Sequence, residues 1–194
     1  GTEKTVKRAI SFEAIRKIKK LDLSFNPVLD FARDMFLFSF YTRGMAFVDM
    51  AYLKKSDLKN GILSYRRKKT GQQLHIRWEA CMQEIVEKYP NVTTEYLLPV
   101  IINPALSERR QYENALHLVN HKLKEVAEMI GLSVPLTTYV ARHAWASIAR
   151  GKNIPLSVIS EGMGHDSELT TRIYLASLDS SVIDEANEQI LKEL

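Results

Sequence analysis

The sequence has little of several features that mark particular classes of protein. Its single cysteine, Cys81, excludes a framework of internal disulfides and is typical of a protein from a reducing cytoplasm. No apolar run approaches the roughly 20 residues that a membrane-spanning helix needs. The start, GTEKT, has neither a Met nor a signal-peptide pattern. We therefore expect a cytoplasmic protein, here a fragment of a longer chain that begins with a cloning scar.

Repeats and low-complexity segments are also missing, so the chain is not a solenoid or a disordered tail. Its 194 residues suffice for one large domain, or for a domain plus a tail, and a hydrophobic content of 45% supports a full core. The formal net charge is +4 and the pI is about 9.1. That mildly basic balance is compatible with DNA binding but does not establish it.

Capping residues and apolar periodicity predict the first helices. Ser11 can cap a helix over residues 12–20, and Asn26 followed by Pro27 is typical of a second helix start. Residues 35–41 are apolar nearly all round, which indicates a buried helix.

A β-hairpin is predicted next. Asn60-Gly61 signals a turn, and residues 72–78 alternate apolar and polar side chains as strands do. Residues 62–67 would form the first strand, with a basic tip around Lys68-Lys69.

The second half of the chain is predicted to be helical. We expect one helix from Trp78 to Lys88 and a long one from Ser107 to Gly131. His117 and His121 lie one turn apart on the polar side of the long helix, without the intervening glutamate of a zinc-protease motif. No metal site is therefore predicted.

The stretch from Thr137 to Leu175 organises the chain. It offers Arg142-His143 on one helix, Gly164-His165 after a second short helix that follows Pro155, and Tyr174 nine residues later. Two cations and a phenol from successive short helices suit a site that grips a phosphate and attacks it with tyrosine.

This pattern resembles the tyrosine recombinase, or phage integrase, family. The family signature is His-x-x-Arg-His, then Leu-Gly-His, then a tyrosine nucleophile nine residues on. Here the order is Tyr139-x-x-Arg142-His143, Met163-Gly164-His165 and Tyr174, so Tyr139 and Met163 depart from it. The resemblance implies a mainly α fold with a small antiparallel β-hairpin or sheet, which is the catalytic domain of a site-specific DNA recombinase.

The resemblance extends to the first half of the chain. Arg43 stands where the family has its first phosphate-clamping arginine, and Lys69 matches the hairpin lysine, with Lys68 as a rival. Asp49, six residues after Arg43, would brace the site. This longer spacing resembles integrases of mobile elements from Gram-negative anaerobes.

The resemblance also implies the chemistry. Tyr174 would attack the scissile phosphate and form a 3′-phosphotyrosyl link, with Lys69 as general acid toward the 5′ oxygen. No metal, ATP or other cofactor would be required, because the link conserves the bond energy. A tyrosine is a poorer proton shuttle than histidine at neutral pH, so His143 or His165 would take over from Tyr139, unless that role is dispensable.

Double-stranded DNA is the expected partner, contacted by a homotetramer in a bacterial cytoplasm, in association with the nucleoid. Residues 1–178 would form the catalytic domain and residues 179–194 a tail helix, docked on a neighbouring protomer or on its own domain. An N-terminal DNA-clamping domain would be absent from the fragment. Phosphate contacts are expected from the basic clusters that include Lys54, Lys55, Arg66, Arg67 and Lys68.

Two other functions fit the residues. A type IB topoisomerase uses the same chemistry but rejoins the same strand. A DNA-binding module with a decayed site would keep DNA affinity without cleavage.

Overall fold

The computed structural model describes residues 10–165 and 181–193. It confirms the predicted fold class, mainly α with one small antiparallel sheet. The described helices are α1 (Phe12–Lys20), α2 (Pro27–Tyr41), α3 (Phe47–Tyr52), α4 (Ala80–Lys88), α5 (Glu108–Met129), α6 (Thr138–Gly151), α7 (Leu156–Met163) and α8 (Ser181–Lys192). The described strands are β1 (Leu58–Lys59), β2 (Ile62–Arg66) and β3 (Gln73–Arg77), and a 3₁₀ turn covers Lys55–Asp57.

The predicted helix starts are confirmed by their caps. The Ser11 hydroxyl accepts the Ala14 N–H at 3.1 Å, and the Asn26 side-chain oxygen accepts the Leu29 N–H at 3.1 Å. Each cap satisfies an N–H group that the first helical turn leaves without a partner. Pro27, which has no N–H, occupies the first turn of α2.

Helix α2 is the centre of the domain. It packs against α1, α4, α5 and α6, and Met35, Phe36 and Phe38 are fully buried. A helix that is apolar all round can satisfy its surface only by being surrounded in this way. Because α2 is held on several sides, the turn at its C-terminus has a fixed position in the domain.

Arg33 joins α2 to α1. Its guanidinium donates to the Ile18 and Leu21 carbonyl oxygens at the end of α1, at 3.0 and 2.7 Å. It also contacts Asp30 at 2.8 Å and Asp34 at 2.7 Å. The carbonyls that α1 leaves unpaired therefore find a buried donor whose charge is balanced by carboxylates.

The sheet contains the predicted hairpin and one further short strand. Strands β2 and β3 pair antiparallel, with Leu63 opposite Ile76 and Tyr65 opposite Leu74 on the buried face. The prediction that a helix begins at Trp78 is wrong by two residues. The Trp78 N–H donates to the Gly61 carbonyl at 2.9 Å, so this residue still belongs to the extended chain after β3.

The remaining helices complete the main core and form a second, smaller hydrophobic cluster. Ser107 caps α5 through the Arg110 N–H at 3.2 Å, and Val119, Leu123 and Val126 are its buried side. A separate small cluster joins α6 to α7, formed by Ala146, Ala149, Ile159 and Met163. Among the described residues, no helix combines the length and apolar character that a bilayer crossing demands.

Candidate active site

The turn after α2 positions Arg43. The Gly44 N–H reaches back to the Ser39 carbonyl at 2.8 Å, which ends the helix with Arg43 in the left-handed conformation at φ 64°. A non-glycine residue pays roughly 1–2 kcal/mol for that conformation. The Arg43 guanidinium then donates to the His75 carbonyl on β3 at 2.9 Å. A strained but anchored arginine is therefore directed toward the sheet, half-buried at the edge of the domain.

Arg142 lies beneath the same turn. It is buried on α6, and its guanidinium donates to the Gly44 carbonyl at 3.0 Å and to the Met163 carbonyl at 2.7 Å. One arginine thus connects the end of α2 with the end of α7. Both of these acceptors are backbone carbonyls, and they orient the guanidinium.

Gly44 permits this close approach. A Cβ at this position would stand 2.5 Å from the Arg142 Cα, and the residue has a φ of +73°. Both the conformation and the contact exclude a side chain. Gly44 therefore brings Arg43 and Arg142, which are 99 positions apart in sequence, to adjacent backbone segments.

A second junction joins the tip of the hairpin, residues 67–72, to the turn after α7. The Gly164 carbonyl accepts from Arg67 Nη1 at 3.0 Å and from the Thr70 hydroxyl at 2.9 Å. The Gln72 amide donates to the His165 carbonyl at 2.8 Å. Lys69 and His165 therefore lie on two segments that are directly bonded to each other.

Gly164 has the same kind of role as Gly44. It ends α7 in the left-handed conformation at φ 69°, and a Cβ there would meet the Leu74 side chain at 2.9 Å. The His165 N–H donates to the Ser160 carbonyl at 3.1 Å, so the turn is closed by its own helix as well as by the hairpin.

Asp49 supports the hairpin tip from α3. It is buried, and its carboxylate accepts the Lys68 N–H at 3.0 Å. Burial raises the pKa of Asp49, while that hydrogen bond and the nearby charges of Arg67, Lys68 and Arg142 oppose the rise. Asp49 is thus an internal carboxylate near several cations and not a residue of the helix surface.

The cations predicted to contact DNA have different surroundings. Lys54 pairs with Glu95 at 3.8 Å, and Lys55 donates to the Thr94 carbonyl at 2.8 Å, so both face the loop after α4. Arg66 is exposed and donates to the Gly71 carbonyl within the tip. All three side chains remain at the surface.

Arg67 does not belong to that exposed set, and its prediction as a surface DNA contact is corrected. It is 5% exposed, because it continues the inward face of β2 after Leu63 and Tyr65. That two-residue alternation could have revealed Arg67 as an inward residue in the sequence. Its environment is the underside of the hairpin tip.

Lys68 and Lys69 at the tip are distinguished by their surroundings. The Lys68 amine lies 4.1 Å from the centre of the Tyr52 ring, a cation–π contact that directs it toward α3. Lys69 is exposed, and no contact of its side chain is found among the described residues. This difference favours Lys69 over Lys68 as the lysine available to a substrate.

The remaining predicted site residues divide into three groups. His165 is buried beside a cavity of about 840 Å³ that Arg43, His75 and Trp145 also line. His143 is half-buried on α6, and Tyr139 is 59% exposed near the start of that helix. Tyr174 lies outside the described residues.

The described part of the site presents cationic side chains, which suit an anionic group. Within residues 10–165 and 181–193, no three His, Cys, Asp or Glu side chains are grouped as metal ligands. Arg43, Arg142 and the Gly164-His165 turn instead converge through backbone contacts. Several fixed cationic donors around one position are what a transferred phosphoryl group needs.

Solved structures with this fold include three site-specific recombinases and integrases. XerA recombinase matches at 18% identity and a TM-score of 0.64, over 93% of this chain and 64% of that chain. XerH recombinase in a post-cleavage complex matches at 19% identity and a TM-score of 0.68, over 94% and 53%. The lambda integrase catalytic core matches at 18% identity and a TM-score of 0.56, over 81% and 94%.

The chain spans less than two thirds of the XerA and XerH chains. No curated protein sequence matches it. The model of the phage integrase family, however, matches residues 27–181, which is most of the sequence and includes both junctions described above. The chain therefore belongs to the phage integrase family.

Proposed function

We propose that this chain is the catalytic part of a site-specific DNA recombinase that cuts and rejoins strands through a covalent tyrosine link. One observation carries the proposal. Arg142 is bonded to Gly44 beside Arg43, while the lysine-bearing hairpin tip is bonded to Gly164. In the proposal, these contacts hold two phosphate clamps, Arg43 and Arg142, and the proton donor Lys69 near the turn that precedes the tyrosine segment. Membership of the family supports the same function.

In the proposed reaction, the phenolic oxygen of Tyr174 attacks the scissile phosphorus. The bond from phosphorus to the 5′ oxygen breaks, and a 3′-phosphotyrosyl link forms. Lys69 gives a proton to the 5′ oxygen, which leaves as a hydroxyl. Arg43, Arg142 and His165 bind the non-bridging oxygens, whose charge must be stabilised in the transition state. The 5′ hydroxyl of a second strand then displaces the tyrosine.

The supporting residues keep this machinery in place. Asp49 holds the hairpin tip through the Lys68 N–H, and proton handling falls to His143 or His165 in place of Tyr139. Arg67 lies within the domain and holds the hairpin tip against the Gly164 turn. The exposed basic side chains contact DNA phosphates. Those surface contacts are Lys54, Lys55 and Arg66, whereas the Lys68 amine stays over the Tyr52 ring.

The test is covalent capture with the full-length protein. The substrate is a duplex of the recombination site, recovered by selection from random DNA, with a nick placed so that the released strand diffuses away. We expect a protein–DNA adduct that survives denaturant with the wild type and is lost with Tyr174→Phe. Tight, salt-sensitive binding without an adduct would instead identify a decayed DNA-binding module.

A relaxation assay separates recombination from topoisomerase activity. A recombinase should join strands from two site-bearing duplexes and leave a supercoiled plasmid without the site unchanged. Relaxation of that plasmid would favour the type IB topoisomerase.

Residues 1–178 are the catalytic domain in this proposal, and residues 179–194 are a tail that contacts a neighbouring protomer. This tail contains the helix Ser181–Lys192, on which Ile190 and Leu191 are 64% and 56% exposed. One matching structure is a lambda integrase tetramer bound to a Holliday junction. By analogy, we propose that this protein works as a tetramer on DNA, associated with the nucleoid of the bacterial cytoplasm.

A further inference from the structure

We infer that Arg67 is a positioning residue, which holds the hairpin tip against the Gly164 turn so that Lys69 stays aligned with the leaving 5′ oxygen. The inference rests on the proposed function, because it concerns the delivery of the Lys69 proton. Arg67 is buried, and in this scheme it does not touch DNA itself. Its effect passes through the carbonyl of Gly164 and the backbone of the tip.

The location of Arg67 at the base of the tip gives it control over Lys69. The Arg67 N–H donates to the Gln72 carbonyl at 2.8 Å, and its own carbonyl accepts the Gly71 N–H at 2.7 Å. Arg67 is therefore the residue from which the tip loop departs and to which it returns. Its side chain then bonds the opposite segment, so one residue sets both the closure of the loop and its contact with the turn.

Of the two segments that Arg67 joins, the tip is the one that its loss would release. The turn is held independently by the Arg142 bond to the Met163 carbonyl and by the His165 bond to Ser160. The tip, by contrast, is a loop at the end of the hairpin, and without Arg67 its remaining side-chain bonds to the rest of the domain are those of Thr70 and Gln72 to the turn and of Asp49 to the Lys68 N–H. Removing the Arg67 bond should therefore displace Lys69 and leave His165 in place.

Stability alone does not account for an arginine at this position. Among the described residues, Arg67 Nε has no hydrogen-bond partner and Arg67 forms no salt bridge within 4.0 Å. Asp49 is near enough for its charge to attract that of Arg67, but the two side chains do not form a salt bridge. Because burying a charge without an ion-pair partner costs free energy, an apolar side chain of similar volume should be tolerated at this position. The Gly164 carbonyl would keep the Thr70 hydroxyl as its donor.

The test compares two substrates of the full-length protein. One is the nicked duplex; the other carries sulfur in place of the bridging 5′ oxygen at the scissile phosphate. A thiol has a pKa near 8.5 and leaves as a thiolate without a donated proton, so this substrate does not need the general acid. We expect Arg67→Met to slow adduct formation about 100-fold on oxygen and to stay within about threefold of wild type on sulfur.

The accompanying variants separate the possible outcomes. Lys69→Ala should show the same rescue by sulfur after a larger loss on oxygen, and Arg67→Lys, which keeps a donor, should recover part of the rate. Arg77→Met removes an exposed arginine from the far end of β3 and should match wild type on both substrates. Thr70→Val removes the second donor to Gly164 and should slow the oxygen substrate about tenfold, again with rescue.

Equal slowing of Arg67→Met on both substrates, or no slowing at all, would overturn the inference. Loss of the folded state in Arg67→Met would also count against it, because the residue would then be structural; Thr70→Val with no rescuable loss would do the same. If Lys69→Ala itself retained full activity or Tyr174→Phe still formed adduct, the proposed function would fail instead.

Discussion

Arg33 and Arg67 are both buried arginines, 6% and 5% exposed, but the two regions around them differ. Arg33 lies between two helices, paired with Asp30 and Asp34 and bonded to the carbonyls at the end of α1. Arg67 bonds the Gly164 carbonyl and keeps Nε without a hydrogen-bond partner among the described residues. The first arrangement is saturated and serves stability. The arrangement around Arg67 places a positive charge without a salt bridge, among the described residues, beneath the hairpin tip and next to the candidate site.

Burial of an arginine therefore does not by itself show whether the residue stabilises the fold or supports the site. What separates the two regions is the charge of the partners. Carboxylates neutralise Arg33, whereas a backbone carbonyl orients Arg67 and leaves its charge to act on the surroundings.

The largest effect should come from removing the saturated arginine. Arg33→Met would leave the half-buried Asp30 and the buried Asp34 with Lys88 as their remaining cation, and the last carbonyls of α1 without this donor. We expect the free energy of unfolding to fall by about 3–5 kcal/mol, measured by urea denaturation. Arg67→Met should change it by less than about 1 kcal/mol. Equal losses would remove the distinction between the two regions.

Matched substitutions of one carboxylate near each arginine should affect the free energy of unfolding to different extents. Asp34 accepts from Arg33, Lys88 and the Tyr89 hydroxyl, so Asp34→Asn should cost about 1–3 kcal/mol of unfolding free energy. For Asp49→Asn we expect less than about 1 kcal/mol at pH 7, because the amide oxygen can still accept the Lys68 N–H.

The raised pKa of Asp49 predicts how this residue changes the free energy of unfolding with pH. Burial raises the pKa of Asp49, so the folded state disfavours the ionised form, and the free energy of unfolding contributed by this group rises as pH falls through the raised pKa. Asp49→Asn should abolish that gain at acid pH. Persistence of the gain in the variant would assign it to another group.

The smallest effect is expected at alkaline pH, in the region around Arg33. Burial raises the pKa of Tyr41 to about 12, and burial together with the hydrogen bond to Asp34 raises the pKa of Tyr89. Since the folded state keeps protons that the unfolded chain has lost, the free energy of unfolding should fall as pH rises above 10. Tyr89→Phe should make that fall shallower and cost about 1 kcal/mol at pH 8.

Urea titrations at pH 8, 10 and 11 measure this slope. Tyr139→Phe is the matched control, because Tyr139 is 59% exposed and far from the Arg33 cluster in sequence. A wild-type slope that Tyr89→Phe leaves unchanged would show that Tyr89 does not cause it.

Much of the fold could be predicted because its signals are local. Ser11, Asn26-Pro27 and Ser107 cap the helices as expected, and the alternation in β3 gives the correct buried face. Helix α3 and strand β1 were not predicted as separate elements, since each is too short for a periodic pattern. The start of α4 was wrong because strand-like pairing at Trp78 overrides the helical preference of the segment.

Some residues of the candidate site could likewise be predicted from local patterns, and others could not. Spacing alone indicated Arg43, Lys69, Arg142 and His165, since the family signature is a pattern along the chain. The roles of Gly44, Thr70 and Arg67 depend on contacts between segments about a hundred residues apart, and no local pattern encodes such contacts. For Arg67 the strand alternation was available, but a run of basic residues suggested a surface cluster instead.

Residue type and spacing along the chain were enough to indicate the family, the helical character and the candidate site residues. Which of the cations are exposed and which lie within the domain became known from the packing of the folded chain. Burial is a property of the packed elements: β2 turns Arg67 inward, Tyr52 draws Lys68 aside, and Gly44 lets α6 approach the end of α2.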